Sequence, residues 1–289
     1  MSSWRLPTNC DAHGRHPGCL PDRWEISGPL SPEFLNPAIS YIVASVQRSG
    51  THLLCSILRS TGIAGSPGEH FLSKPEETWE KRWGAPSRAD YVQNVLRENT
   101  AANGVFGTVI MWSYFERMLQ MLQEIPAYKT LNGEQLLAAV FCKPKYIWMR
   151  RRNHVEQAVS WAIACQTGVW TQKAEEKSQP QAKPKFDFKV IDEWCNRIAT
   201  HDEGWGNYFR QNQIEPLVLF YEDVVASHRA AAERVLEFLG LPSPARLEIP
   251  PPAVEKQAGR ISEEWAARYL KLKRAKPSTL KRIIRRLRV

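Results

Sequence analysis

Between Tyr41 and Leu58 the hydrophobic period of the chain switches from strand to helix across a single short turn. Tyr41–Val46 (YIVASV) is apolar and β-branched, as a buried strand requires. It runs directly into Gln47–His52 (QRSGTH), after which Leu53, Leu54, Ile57 and Leu58 recur at helical spacing up to Gly62. Strand, tight loop and helix in succession are the opening half of a βαβ unit. The pattern repeats. Gly104–Trp112 reads as a strand followed by a helix carrying Phe115, Met118, Leu119 and Leu122, and Lys145–Arg150 as a strand followed by a helix from about Val155 to Cys165. Leu217–Tyr221 is a fourth strand, followed by a helix over Ala230–Leu239 with Ser227 as its N-cap. Strands alternating with helices predict an α/β fold whose parallel sheet is covered on both faces.

Charge narrows the class of partner. Thirty-nine Lys and Arg against 30 Asp and Glu give +9, but nine of those cations lie between Lys271 and Val289, a stretch without an acid. The remaining body is formally neutral, which argues against a nucleic-acid-binding surface spread over the fold. No apolar run approaches the roughly 18 residues of a membrane span. The N-terminal residues lack the apolar core of a signal peptide, and six scattered cysteines fit free thiols in a reducing, cytoplasmic compartment.

These features divide the chain into an N-terminal arm (1–38), one α/β domain (39–270) and a basic tail (271–289). The arm is rich in Pro, Gly, His and Arg without periodicity, so it is expected to drape on the body or stay loose. It contains Cys10, His13, His16 and Cys19, ligand types suited to zinc but at a spacing shorter than usual fingers, so a polar arm is the favoured reading. Thr171–Phe186 is polar and of low complexity, a surface loop, and Pro242–Pro252 is a Pro-rich connection that cannot be a helix. In the tail, Leu280, Ile283, Ile284 and Leu287 fall on one helical face, with Lys281, Arg282, Arg285, Arg286 and Arg288 largely on the other. A solvated tail, an anchor on the anionic inner face of a membrane and a contact with another macromolecule are its three readings.

The turn itself carries chemistry. Where a strand ends and a helix begins, the helix's first N–H groups lack acceptors and its dipole is positive, so QRSGTH is a natural anion cradle. Gly50 allows close backbone approach to a phosphate, Ser49, Thr51 and His52 offer side-chain donors, and Arg48 adds a permanent charge. The chain contains neither GxxxxGK[ST] nor G-x-G-x-x-G, which disfavours an ordinary ATPase or GTPase and a dinucleotide enzyme. After the third strand, Met149–Trp161 (MRRRNHVEQAVSW) sets three arginines before a helix, a pattern suited to a second phosphate because Arg binds it bidentately.

Taken in order, QRSGTHLL, TGIAGSPGEHF, NGVFGTVIMW, EQAVSWAIACQTGVW, DEGWGNYF and EKQAGRISEEWAARY resemble the trehalose 2-sulfotransferase family of mycobacteria and other actinobacteria, from about residue 41 to 270. The resemblance implies a P-loop-NTPase-like three-layer sandwich, the sulfotransferase fold. It also implies PAPS (3'-phosphoadenylyl sulfate) as sulfuryl donor, a hydroxyl acceptor on a carbohydrate, glycolipid or glycosylated natural product, and a homodimer. It places the 5'-phosphate on Arg48–His52, and the 3'-phosphate on Ser160 with either Arg151 or Arg152, nine and eight residues before it. Lys256 and Gln257 would help close over the nucleotide, with Gly259 where relatives carry an acid. Arg48 would stabilise the leaving oxygen and Glu69, which falls on the family's catalytic glutamate, would be the general base. His52 and His70 are the rival bases, since His titrates near neutrality. Sulfuryl transfer moves less charge than phosphoryl transfer, so no metal is required. One departure is Val109, where relatives often carry Lys. The competing class is a P-loop-like nucleotide-binding protein or small-molecule kinase, which would prefer ATP to 3',5'-ADP.

Overall fold

The structure, a computed structural model, describes residues 36–71, 84–170, 183–242 and 260–275. Residues 1–35 of the arm with the Cys10–Cys19 spacing, residues 171–182 of the polar loop, the Pro-rich connection from 243 on, Lys256, Gln257 and the tail after 275 lie outside the described residues.

All four strands read from the sequence form, and they make one parallel sheet. β1 (Ile39–Ser45) pairs on one side with β2 (Val105–Met111) and on the other with β3 (Lys145–Arg150), and β4 (Leu217–Phe220) continues beyond β3. The order β2-β1-β3-β4 means that the chain leaves β1 first toward one edge and then toward the other. The reversal point, between β1 and β3, is where open parallel sheets bind ligands at their strand C-termini. Register makes that edge level: Ser45 stands opposite both Met111 and Met149, and Met149 stands opposite Leu219. β2 is buried throughout and β1 nearly so, as expected of strands covered on both faces.

Nine α-helices lie among the described residues. They are α1 (Thr51–Ser60), α2 (Arg88–Asn99), α3 (Trp112–Gln123), α4 (Gly133–Phe141), α5 (His154–Thr167), α6 (Phe188–Gln211), α7 (Tyr221–Ala226), α8 (His228–Leu239) and α9 (Arg260–Ala275). Local chemistry fixes several ends. Ser87, Asn153 and Ser227 accept from Asp90, Glu156 and Ala230 N–H at the starts of α2, α5 and α8. Gly168 and Gly240 close α5 and α8 in the left-handed conformation. The architecture is of the α/β class expected, a parallel sheet whose strands alternate along the chain with helices. Helices α2, α4, α6, α7 and α9 go beyond the sequence-based assignment, and Tyr221, read as the end of the fourth strand, opens α7. α6 carries two glycines, which blur a helical signal, yet it runs unbroken for 24 residues.

The chain divides into two compact units. The first comprises Met1–Arg150 with His201–Pro252, and holds the sheet. Its core is strongly aromatic around the C-terminal half of α6: Trp205, fully buried, packs at 4.9–5.8 Å centroid distance on Trp112, Phe115, Tyr208 and Phe209. Gly204 admits the Trp112 ring, which would lie 2.2 Å from a Cβ at that position. The second unit comprises Arg151–Thr200 with Ala253–Val289. In it Trp161 of α5 stacks on Trp194 of α6 at 4.4 Å, and Phe188 of α6 stacks on Tyr269 of α9 at 5.1 Å. The Tyr269 hydroxyl donates to Asp192, which also pairs with Lys273 at 3.1 Å.

Candidate active site

The turn after β1 is held open by its backbone. Arg48 and Gly50 both have positive φ, 67° and 92°, so successive peptide groups turn inward as in an anion nest. Gly50 is the N-cap of α1 and no side chain caps the helix, leaving its first N–H groups without intrahelical partners. A side chain at residue 50 would meet Tyr221 of α7 at 2.3 Å as well as requiring a strained φ, so two independent constraints demand glycine there.

Ser49, expected as a phosphate donor, faces inward. It is 1% exposed, and its hydroxyl donates to the Val46 carbonyl at 2.7 Å and meets the Ser45 hydroxyl. Ser45 Oγ in turn donates to the Met149 carbonyl at 2.6 Å, tying the end of β1 to the end of β3. Trp205 Nε1–H donates to the Ser45 carbonyl at 2.8 Å. The inward serines and the α6 indole thus make the turn rigid, while Arg48 and Gly50 are half-buried and His52 is exposed. Gln47 donates to the hydroxyl of Ser113 at the start of α3, fixing the turn's other flank. Thr51 is buried.

Glu69 lies on the loop after α1, and its neighbours are pinned on both sides. The Gly68 carbonyl accepts from Val109 N–H at 2.8 Å and from the Thr108 hydroxyl, and the His70 carbonyl accepts from the Tyr91 hydroxyl. Arg59 donates to the Pro67 carbonyl at 2.6 Å. Val109 is a buried β2 residue whose backbone holds this loop. The Glu69 carboxylate sits 3.6 Å from His52 Nε2 on the first turn of α1. Burial pushes the Glu69 carboxyl up to about 7, with Arg48 pulling the other way. Burial and then the Arg48 and Arg59 charges push His52 down.

His70, the rival base, is turned into the protein. It is buried, its Nε2 faces the Ser66 carbonyl at 3.2 Å, and burial lowers it to about 4. Its ring lies 6.5 Å from Phe106, a packing position.

Of the three arginines at the end of β3, Arg150 is committed to structure. It makes a forked pair with Asp202 of α6, Nε lying 3.1–3.2 Å from both carboxylate oxygens, and stacks on Trp148 at 4.2 Å. Asp202 and Trp205 are the site-supporting residues that reading for motifs missed. The signal was present in DEGWGNYF, a stretch combining an acid with two glycines around an aromatic, and each now has a partner. In the second unit, Arg151 is 6% exposed and pairs with Glu156 at 2.9 Å, Arg152 is exposed, and Ser160 is half-buried one turn after Glu156 on α5. Among the described residues, no group of three or more His, Cys, Asp and Glu side chains is placed to hold a metal ion.

The residues that build this turn and the Glu69 loop fall inside a span shared with known proteins. A sequence profile of the Stf0 sulphotransferase family matches residues 40–272. The trehalose 2-sulfotransferase of Mycolicibacterium smegmatis is 30% identical over 261 residues, covering 80% of this chain and 94% of that protein. The trehalose 2-sulfotransferase of Mycobacterium tuberculosis is 28% identical over 257 residues, covering 79% and 93%. The match begins at β1 and ends within α9, so it takes in every described strand and helix, and this chain belongs to the Stf0 sulphotransferase family, a family of transferase enzymes.

Proposed function

We propose that this chain transfers the sulfuryl group of PAPS to a hydroxyl of a carbohydrate acceptor, free or lipid-linked, with Glu69 as general base. The observation that carries this reading is a carboxyl raised to about 7, on a loop pinned at both sides, against the first turn of the anion-binding helix. A base poised near neutrality is what abstraction of a hydroxyl proton requires. The named substrate of both curated relatives supports a sugar acceptor.

When bound, PAPS supplies an electrophilic sulfur and a phosphate leaving group. The protein's part is positioning and charge. The backbone N–H groups of Gly50, Thr51 and His52 and the Arg48 guanidinium receive the 5'-phosphate, and Arg48 meets the charge that develops on the leaving oxygen. Ser49 serves by holding the turn. Arg152, exposed, is our choice over the buried Arg151 for the 3'-phosphate, with Ser160; Lys256 and Gln257 would help close over the nucleotide. Glu69 takes the acceptor proton as the acceptor oxygen attacks sulfur in line with the leaving group. By family resemblance the enzyme is a homodimer.

The test pairs calorimetry with an acceptor screen. 3',5'-ADP should bind at least tenfold more tightly than ATP, and label should pass from PAPS to trehalose or another member of a sugar and glycolipid panel. Preferential ATP binding would instead favour a kinase or a nucleotide-binding module.

A further inference from the structure

The contact between His52 and Glu69 has more to say than a charge pair on a surface would. Glu69 has a side chain only 22% exposed on an anchored loop, whereas the His52 side chain is 52% exposed at the start of α1. A base enclosed in this way can take a proton from the acceptor, but it must then lose that proton before the next turnover. With an acceptor in front of it and a pinned loop behind it, the carboxyl has at its side an imidazole nitrogen 3.6 Å away, on a ring that is half in water. That separation is within the looseness common in unliganded catalytic pairs.

We propose that His52 is the proton exit for Glu69: its Nε2 receives the proton that Glu69 has taken from the acceptor, and its ring releases a proton to solvent. The proposal rests on the reading of Glu69 as the base. The steps balance. The acceptor O–H bond breaks as its oxygen bonds to sulfur, and the bridging electron pair leaves with the 5'-phosphate. The proton resides on a Glu69 oxygen, passes to the lone pair of neutral His52 to form imidazolium, and is then lost to water, restoring both residues. The charged and titratable groups around the pair favour a neutral resting imidazole. Arg48 on the turn and Arg59 on the last turn of α1 both disfavour a second cation, while Cys55 and Tyr114 are buried. The backbone N–H of residue 52 belongs to the helix N-terminus and survives any side-chain change, so nucleotide binding and proton exit can be separated.

The experiment uses the full chain with PAPS and the most active sugar of the acceptor panel. His52→Ala and His52→Gln should each lower kcat about tenfold or more and leave KM for PAPS within about twofold. Added imidazole should restore several-fold of the loss in His52→Ala while leaving the unsubstituted enzyme unchanged. The same rescue should vanish in His52→Ala/Glu69→Gln. Turnover of both His52 variants within twofold of normal, a loss confined to KM for PAPS, or a loss that imidazole fails to repair would overturn the proton exit while leaving Glu69 as base. Rescue that persists in the double variant would mean that residue 52 accepts the acceptor's proton directly, which overturns both readings. His52→Gln keeps a side chain of similar reach at an exposed position and controls for folding.

Discussion

If Glu69 is the base we propose, a single carboxyl couples catalysis to stability, and the two can be measured apart. Burial raises it to about 7, so ionising it in the folded protein costs free energy. A raised carboxyl is neutral in both folded and unfolded states well below about pH 4; above that the unfolded chain ionises first, and the folded state is progressively penalised until its own carboxyl titrates. Glu69→Gln removes this penalty. The variant should match the parent's unfolding free energy near pH 4 and exceed it by roughly 2–3 kcal/mol above pH 7.5, as denaturant titrations at several pH values would show. The same substitution should lower kcat about 10²–10⁴-fold while 3',5'-ADP binds as before. In the parent enzyme kcat/KM should climb with pH to a plateau beyond an apparent pKa near 7, and the limb in kcat should lie higher, because the anionic nucleotide disfavours a second negative charge. A flat profile between pH 5.5 and 8.5 contradicts the assignment. Sequence alone could nominate Glu69 by its place in SPGEHF, but a loop glutamate is ordinarily a solvated charge. The enclosing contacts from β2, α1 and α2 come from residues as distant as Tyr91 and Val109, so its altered titration is a tertiary property.

Elements explain why the turn keeps its shape. Gly50 faces Tyr221, the first residue of α7, and Ser45 is tied to Met149 of β3 and to Trp205 of α6. Gly50→Ala must therefore either push Tyr221 aside or distort the start of α1. It should destabilise the protein by about 1–3 kcal/mol and abolish detectable 3',5'-ADP binding in the same calorimetric titration. Asp202→Asn probes the other support. It leaves the Arg150 guanidinium without its counter-charge at the end of β3, though about a third of that side chain still reaches water. A loss of about 1–3 kcal/mol is expected, and under our assignment of the 3'-phosphate to Arg152 nucleotide affinity should fall less than in Arg152→Ala. Strand and helix periodicity reveals β1 to β4 and the helices α1, α3, α5 and α8. It does not reveal α6, whose residues make sense only through their partners: Asp202 for Arg150, Gly204 for Trp112, Trp205 for Ser45.

At the scale of the whole molecule, charge is distributed unevenly between body and tail. Removing residues 276–289 takes away Lys276, Lys281, Arg282, Arg285, Arg286 and Arg288 and spares the pairing of Lys273 with Asp192. If the tail rests on anionic lipid, each cation contributes about 1 kcal/mol near the surface. The full chain should then float with phosphatidylserine vesicles at low salt and the truncated chain should not; equal behaviour of the two removes the membrane from the account. Among the described residues no helix is long and apolar enough to cross a membrane. The amino-acid order by itself determined what depends on near neighbours along the chain: the period switch at Gln47, the parallel α/β class, the glycine at the anion turn and the concentration of charge in the tail. Only the tertiary structure decided which arginine at the end of β3 is spent on packing, that Ser49 faces inward, that His70 is buried and that Glu69 meets His52. Those outcomes depend on which groups lose water together, and segments far apart in the chain supply them.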